Sequence, residues 1–94
     1  VQATSLRVFR KVGSVSFTRF GEEGLLVVPR NSLNVVLNGT GAAAFELMDG
    51  RRTLAQIASL LQDEYDEADR AKIEADLTEL VEDLVQKQAI EQVG

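Results

Sequence analysis

Asp49, Glu46, Tyr65, Ser32 and Thr40 are the side chains of this 94-residue chain whose types could serve acid–base or nucleophilic chemistry. Such a group works only when a base, a metal or a second polar partner activates it. The chain has no histidine and no cysteine. That removes the commonest general base, thiol nucleophiles, disulfides and the commonest zinc ligands. Asp63, Asp66 and Asp69 resemble part of a calcium loop, but the loop's glycine and closing glutamate are not at the required places. Gly39-Thr40-Gly41-Ala42 lacks the lysine of a phosphate loop. The Glu82-Asp83 pair falls on the exposed part of a helical pattern, where solvation accounts for it. The residues therefore point to a binding module, not an enzyme, with no metal and no cofactor of its own.

The elements that would position a binding surface can be read from hydrophobic period. Residues 1–13 carry Leu6, Val8 and Phe9 among Arg7, Arg10 and Lys11, and fit a short strand, an ordered arm or a tail held by a partner. Ser14–Phe20 alternates around Val15 and Phe17, as a half-buried strand does. Gly21-Glu22-Glu23-Gly24 reads as a four-residue hairpin loop. Leu25–Val28 is a continuous apolar run, expected of a strand covered on both faces. Pro29 stops it, and Arg30-Asn31-Ser32 turns the chain. In Leu33–Leu37, Leu33, Val35 and Leu37 share one face, with Asn34 and Val36 on the other. Short connections make these three strands an antiparallel meander with the second strand central.

After Leu37 the period changes to that of helices. Asn38 is suited to cap a helix over Gly39–Met48, and Asp49-Gly50 to end it. Thr53 and Gln56 have the spacing of a capping box for a second helix over Leu54–Glu64, with Leu54, Ile57, Ala58 and Leu61 on one face. The third and longest helix spans Arg70–Lys87, with Ile73, Leu77, Leu80 and Leu84 as its tight stripe. Val81 and Val85 widen that stripe on one side, either as a broader core contact or as the lining of a groove. The expectation is one α+β domain of winged helix-turn-helix type, a three-stranded antiparallel meander followed by three helices, over residues 14–94.

The stretch from LLVVPRNSLNVVLN to DGRRTLAQI resembles the PqqD family, also called RiPP recognition elements. The ordered set is the strand pair, Pro29, Leu37-Asn38, Asp49-Gly50 and Thr53, within a resemblance that covers residues 15–90. Met48 stands where the family's namesake often has cysteine, and the tail reads Gln88-Ala89-Ile90 without its glycine-tryptophan ending. The resemblance implies a protein that binds the leader segment of a ribosomally made precursor peptide. It would present that leader to a tailoring enzyme, often a radical SAM protein, in natural-product or cofactor biosynthesis.

Charge separates the main competing class. Residues 1–52 hold seven Lys/Arg and four Asp/Glu, whereas residues 53–94 hold three and eleven. The alternative is a winged-helix DNA-binding or protein-assembly domain, and DNA binding would need basic side chains on the helix entering the groove, because phosphate neutralisation supplies much of the affinity. Residues 69–87 carry six acids against three bases, so that helix repels phosphate. No apolar run approaches the ~20 residues that span a bilayer, and a cytoplasmic monomer or weak dimer is the expectation.

One segment is unusual for an isolated sheet. The third strand has no charge, proline or glycine from Ser32 to Leu37, although edge strands normally carry such blunting devices. Either an N-terminal segment or a second copy covers that edge, or a peptide adds there. In the last case the peptide lies beside Leu33, Asn34, Val35, Val36 and Leu37, with Leu77, Thr78, Val81 and Val85 as helix contacts. Glu74 at the rim would then favour a basic leader residue.

Overall fold

The computed structural model describes residues 6–65 and 69–93. The described residues form two three-stranded antiparallel sheets and three α-helices. The first sheet is β1 (Val8–Lys11), β5 (Asp49–Thr53) and β6 (Ile90–Gln92), in the order β5-β1-β6. The second is β2 (Ser16–Phe20), β3 (Glu23–Val28) and β4 (Leu33–Leu37), in the order β2-β3-β4. Helices α1 (Gly39–Leu47), α2 (Leu54–Glu64) and α3 (Arg70–Gln86) complete the fold. The meander and the three helices match the arrangement expected from the period. The first sheet was not expected, because both of its pairings join segments far apart in the chain.

Gly50 was expected to end a helix and open a tight helix-turn-helix. Helix α1 instead stops at Leu47, and Asp49–Thr53 pairs with β1. Gly50 does take a positive φ of 82°, but at an irregularity in the β1–β5 register rather than at a helix end. Asp49 to Thr53, four polar residues and a glycine, carry no strand period of their own. They become a strand because β1 offers backbone partners on one side, β1 itself being paired with β6 on its other side.

The segment Val8–Lys11 is therefore the middle of a sheet. Phe9 lies fully buried beneath it. Lys11 reaches across to α1, its Nζ donating to the carbonyls of Glu46 and Met48 at 3.2 Å each, and sits 5.3 Å above the Phe45 ring. An ammonium at a helix C-terminus meets the negative end of the helix dipole. Burial lowers the Lys11 pKa, against the opposing pull of Asp49 and Glu46.

In the meander, a two-residue turn at Gly21-Glu22 replaces the expected four-residue loop, so Phe20 pairs with Glu23. Gly21 supplies the positive φ, 64°. Gly24 is a strand residue, glycine for another reason: a Cβ there would run into the ring of Phe17, which packs 5.0 Å from Phe45. Leu25–Val28 is buried on one face only, through Leu26 and Val28, with Leu25 and Val27 half-exposed.

Each helix start is capped as its residues suggest. Asn38 accepts from the Gly41 N–H at 2.8 Å, Thr53 and Gln56 close a capping box, and Asp69 accepts from the Ala71 N–H at 3.1 Å. The end of α3 was less legible. Gln88 adopts φ 62°, with its N–H on the Val85 carbonyl and the Ala89 N–H on the Leu84 carbonyl. This pair of bonds is a Schellman turn, and it aims Ala89 and Ile90 back into the core as β6.

Two stability predictions follow from these turns. A left-handed backbone costs a non-glycine residue about 1–2 kcal/mol, so Gln88→Gly should raise stability by up to about 1 kcal/mol in urea titration. Asp49 accepts from the N–H groups of Arg51 and Arg52 at 2.9 and 3.1 Å, and these bonds hold its carboxyl below the ordinary value of 3.8. A carboxylate favoured by the folded state contributes stability above its unfolded pKa and loses it as pH falls through the folded one. Asp49→Asn should therefore lower the melting temperature near neutrality, and the gap to the parent should close below about pH 4.

Candidate functional site

The groups with chemical potential are scattered. Asp49 is spent on its own turn and on the Arg52 guanidinium at 3.0 Å. Glu46 is held by Arg19 at 2.7 Å. Ser32 sits in a left-handed turn with φ 53°. Tyr65, half-buried with its hydroxyl beside Gly39, has its pKa raised by burial and then by Glu64 and Glu22. Asp66 lies outside the described residues, Asp69 caps α3, and no acid cluster among the described residues could hold a metal ion. Nothing in this set assembles a reacting centre.

A groove does assemble, with a volume of about 530 Å³. Its floor is apolar: Ala44 of α1, Leu61 of α2, and Ile73, Leu77 and Leu80 of α3. One wall is the start of α1, with Asn38, Thr40 and Gly41. The other is α3, through Asp76, Glu79 and Asp83. Asn38 directly follows β4, so the groove opens where that strand ends. The far end of β4 is tied to the other end of α3, because the Asn31 side chain donates to the Lys87 carbonyl at 2.8 Å. Strand β4 thus runs alongside α3 in the opposite sense.

The outer edge of β4 has no strand partner among the described residues. Leu33 and Val35 lie half-buried against the core and Leu37 is buried, while Asn34 and Val36 face outward, Val36 with 68% of its surface exposed. In an antiparallel ladder, alternate residues turn N–H and C=O groups toward each neighbour. A free edge therefore presents half of them to whatever lies beside it.

The helix contacts expected from sequence need correction on one point of rotation. Val81 is 2% exposed and belongs to the core, together with Ile73, Leu77 and Leu84. Leu80, assigned to the tight stripe, is only partly buried and lines the groove. The flank bearing Arg70, Glu74, Thr78 and Val85 turns toward α2, as the Arg70 guanidinium donating to the Ala55 carbonyl shows. Glu74 is taken by Arg70 at 2.8 Å, and the Thr78 hydroxyl donates to the Glu74 carbonyl. Val85 is 41% exposed but does not line the groove. Of the five helix residues expected to contact a peptide, Leu77 alone lines the groove. The residues that sequence reasoning passed over are Asp76, Glu79, Leu80 and Asp83. The signal lies in the helical period: Asp76 and Asp83 flank the apolar stripe on the side opposite Val81 and Val85, and that boundary is the groove wall.

Comparison with known proteins fits this architecture. Residues 23–90 match the model of the family described as coenzyme PQQ synthesis protein D, PqqD. The bifunctional coenzyme PQQ synthesis protein C/D of Methylorubrum extorquens is 36% identical over 75 residues, 80% of this chain and 19% of that protein. The chain thus spans about a fifth of that relative's length. A PqqA binding protein of Klebsiella pneumoniae is 34% identical over 68 residues, 72% of each chain. The solution structure of the PqqD part of Methylobacterium extorquens PqqCD, a stand-alone RiPP recognition element, superposes with TM-score 0.74 at 34% identity, covering 97% of this chain and 95% of that one. TbiB1 in complex with the TbiA(beta) leader peptide superposes with TM-score 0.76 at 21% identity, covering 87% and 94%. With more than two thirds of its length matched by the family model, the chain belongs to the PqqD family.

Proposed function

We propose that this protein binds the leader segment of a ribosomally synthesised precursor peptide as an added strand on the free edge of β4. It presents that peptide in the cytoplasm to a modifying enzyme such as a radical SAM protein, and carries no catalytic group or cofactor itself. The observation that carries the reading is the uncharged edge of β4, without a strand partner among the described residues, leading at Asn38 into the apolar-floored groove of α3. Backbone pairing supplies affinity that tolerates sequence, and alternate side chains of the added strand enter the groove and supply selectivity. A relative called a PqqA binding protein and a structural neighbour holding a leader peptide support it. A bifunctional relative that joins the C and D synthesis proteins in one chain supports delivery to an enzyme.

In this reading the fold is a winged helix turned from DNA to peptide, with the β2–β4 meander as the wing. The peptide-binding domain takes in β1 and does not start at residue 14. The strand contacts proposed are Leu33 to Leu37, and the helix contacts proposed are Leu77, Leu80, Asp76, Glu79 and Asp83. No described helix is long and apolar enough to cross a membrane.

Amide shift mapping with a synthetic cognate leader tests the docking. Perturbations should concentrate on residues 33–41 and 76–83, with slowed hydrogen exchange at every second residue of β4. Leu80→Asp, which puts an unpaired charge on the groove floor, should weaken binding roughly ten-fold or more without changing the circular dichroism spectrum. Val81→Ala should cost about 1–3 kcal/mol of stability and leave the affinity of the folded protein unchanged. Perturbations confined to Gly21-Glu22 and Arg51–Thr53 would rule out the edge-strand mechanism.

A further inference from the structure

Asp76, Glu79 and Asp83 recur at i, i+3 and i+7, which places them in one row along α3, and all three line the groove. No basic residue is among the described residues that line the groove with them. The opposite wall is Asn38, Thr40, Gly41 and Ala44, and β4 has no charge between Leu33 and Leu37. The cations near the row are neighbours on α3 itself: Lys72 lies 3.7 Å from Asp76, and Lys87 lies 2.6 Å from Asp83. Both stand at the ends of the row. Glu79, in the middle, makes no ion pair with any described residue.

An acidic row on a helix is ordinarily a solvated face. Here it forms the wall of a groove whose floor is apolar and whose neighbour is an open strand edge, and those two features call for an extended occupant. Seven residues of helix span roughly 10 Å, and a strand advances about 3.3 Å per residue. The row therefore runs beside about three residues of an added strand, of which two, at i and i+2, face α3.

We propose that the occupant is a basic peptide. One α3-facing residue is Lys or Arg, set against Glu79 between Asp76 and Asp83. The other, two positions away, is a large apolar side chain seated on Leu77 and Leu80. This rests on the edge-strand reading and adds to it the charge of the bound segment. Complementary charge beside a docked strand fixes its register and rejects acidic segments more than it adds affinity.

Selection of random twelve-residue peptides displayed on phage against the intact protein tests the charge directly. Enriched peptides should carry Lys or Arg two positions from Leu, Ile, Phe or Met, and should shift the amides of residues 33–37. Glu79→Lys, at an exposed position, should keep the parent's circular dichroism spectrum. It should weaken a selected peptide roughly three- to ten-fold at low salt, with the difference shrinking as salt is raised. Exchanging that peptide's basic residue for Glu should restore binding to the Glu79→Lys protein and not to the parent. Selected peptides that dock on β4 yet are acidic or uncharged there, with affinity indifferent to Glu79→Lys, would overturn the basic occupant and leave edge-strand docking standing. Peptides that shift other surfaces and spare residues 33–37 would overturn both.

Discussion

Ile73, Leu77, Val81 and Leu84 point from one side of α3 into the core, where they meet buried side chains such as Leu61, Ile57 and Phe45. Burying four such side chains releases on the order of 1.5–3 kcal/mol each, more than any surface contact of this helix can set against it. Their direction fixes how α3 is rotated about its axis. One flank must then face α2, where Arg70 reaches the Ala55 carbonyl. The other must carry Asp76, Leu80 and Asp83 toward the open side of the fold. A rotation of one residue's worth would have filled the groove with Val81 and turned the acidic row away from it.

The same constraint separates the parts of the molecule that can be read without a structure from those that cannot. The helix caps at Asn38 and Thr53 are local hydrogen bonds between residues three apart, and sequence carries them whole. The meander is nearly as local. Strand β5 and strand β6 are not: each pairs with a segment more than thirty positions distant, and neither has the apolar alternation that would mark it. The rotation of α3 is not legible in the sequence, because Leu80 and Val81 are adjacent apolar residues and period alone does not rank them. The deciding fact is tertiary, namely which side α2 occupies. The glycine at position 24 is a similar case, since a residue that looked like turn chemistry is there to admit the Phe17 ring.

The uneven charge of the chain also finds its place. Part of the positive first half is met by acids across the fold, Arg10 by Glu91 at 2.8 Å and Arg19 by Glu46 at 2.7 Å. Exposed pairs of this kind contribute little to stability, but they leave few cations free to approach α3. The negative surplus is thereby concentrated on the helix that borders the groove.

Strand β1 has both of its sheet neighbours far downstream. Arg10 and Glu91, side by side on β1 and β6, are 81 positions apart, and the Val93 N–H closes on the Val8 carbonyl at 2.9 Å. Such pairing must pay for a large loop before any contact rewards it, and domains rich in distant pairings fold slowly. On the ribosome, β1 emerges with no partner yet made, while the meander and α1 can already collapse. The sheet that holds Phe9 in the core is thus a late act of folding, completed only once β6 has left the ribosome.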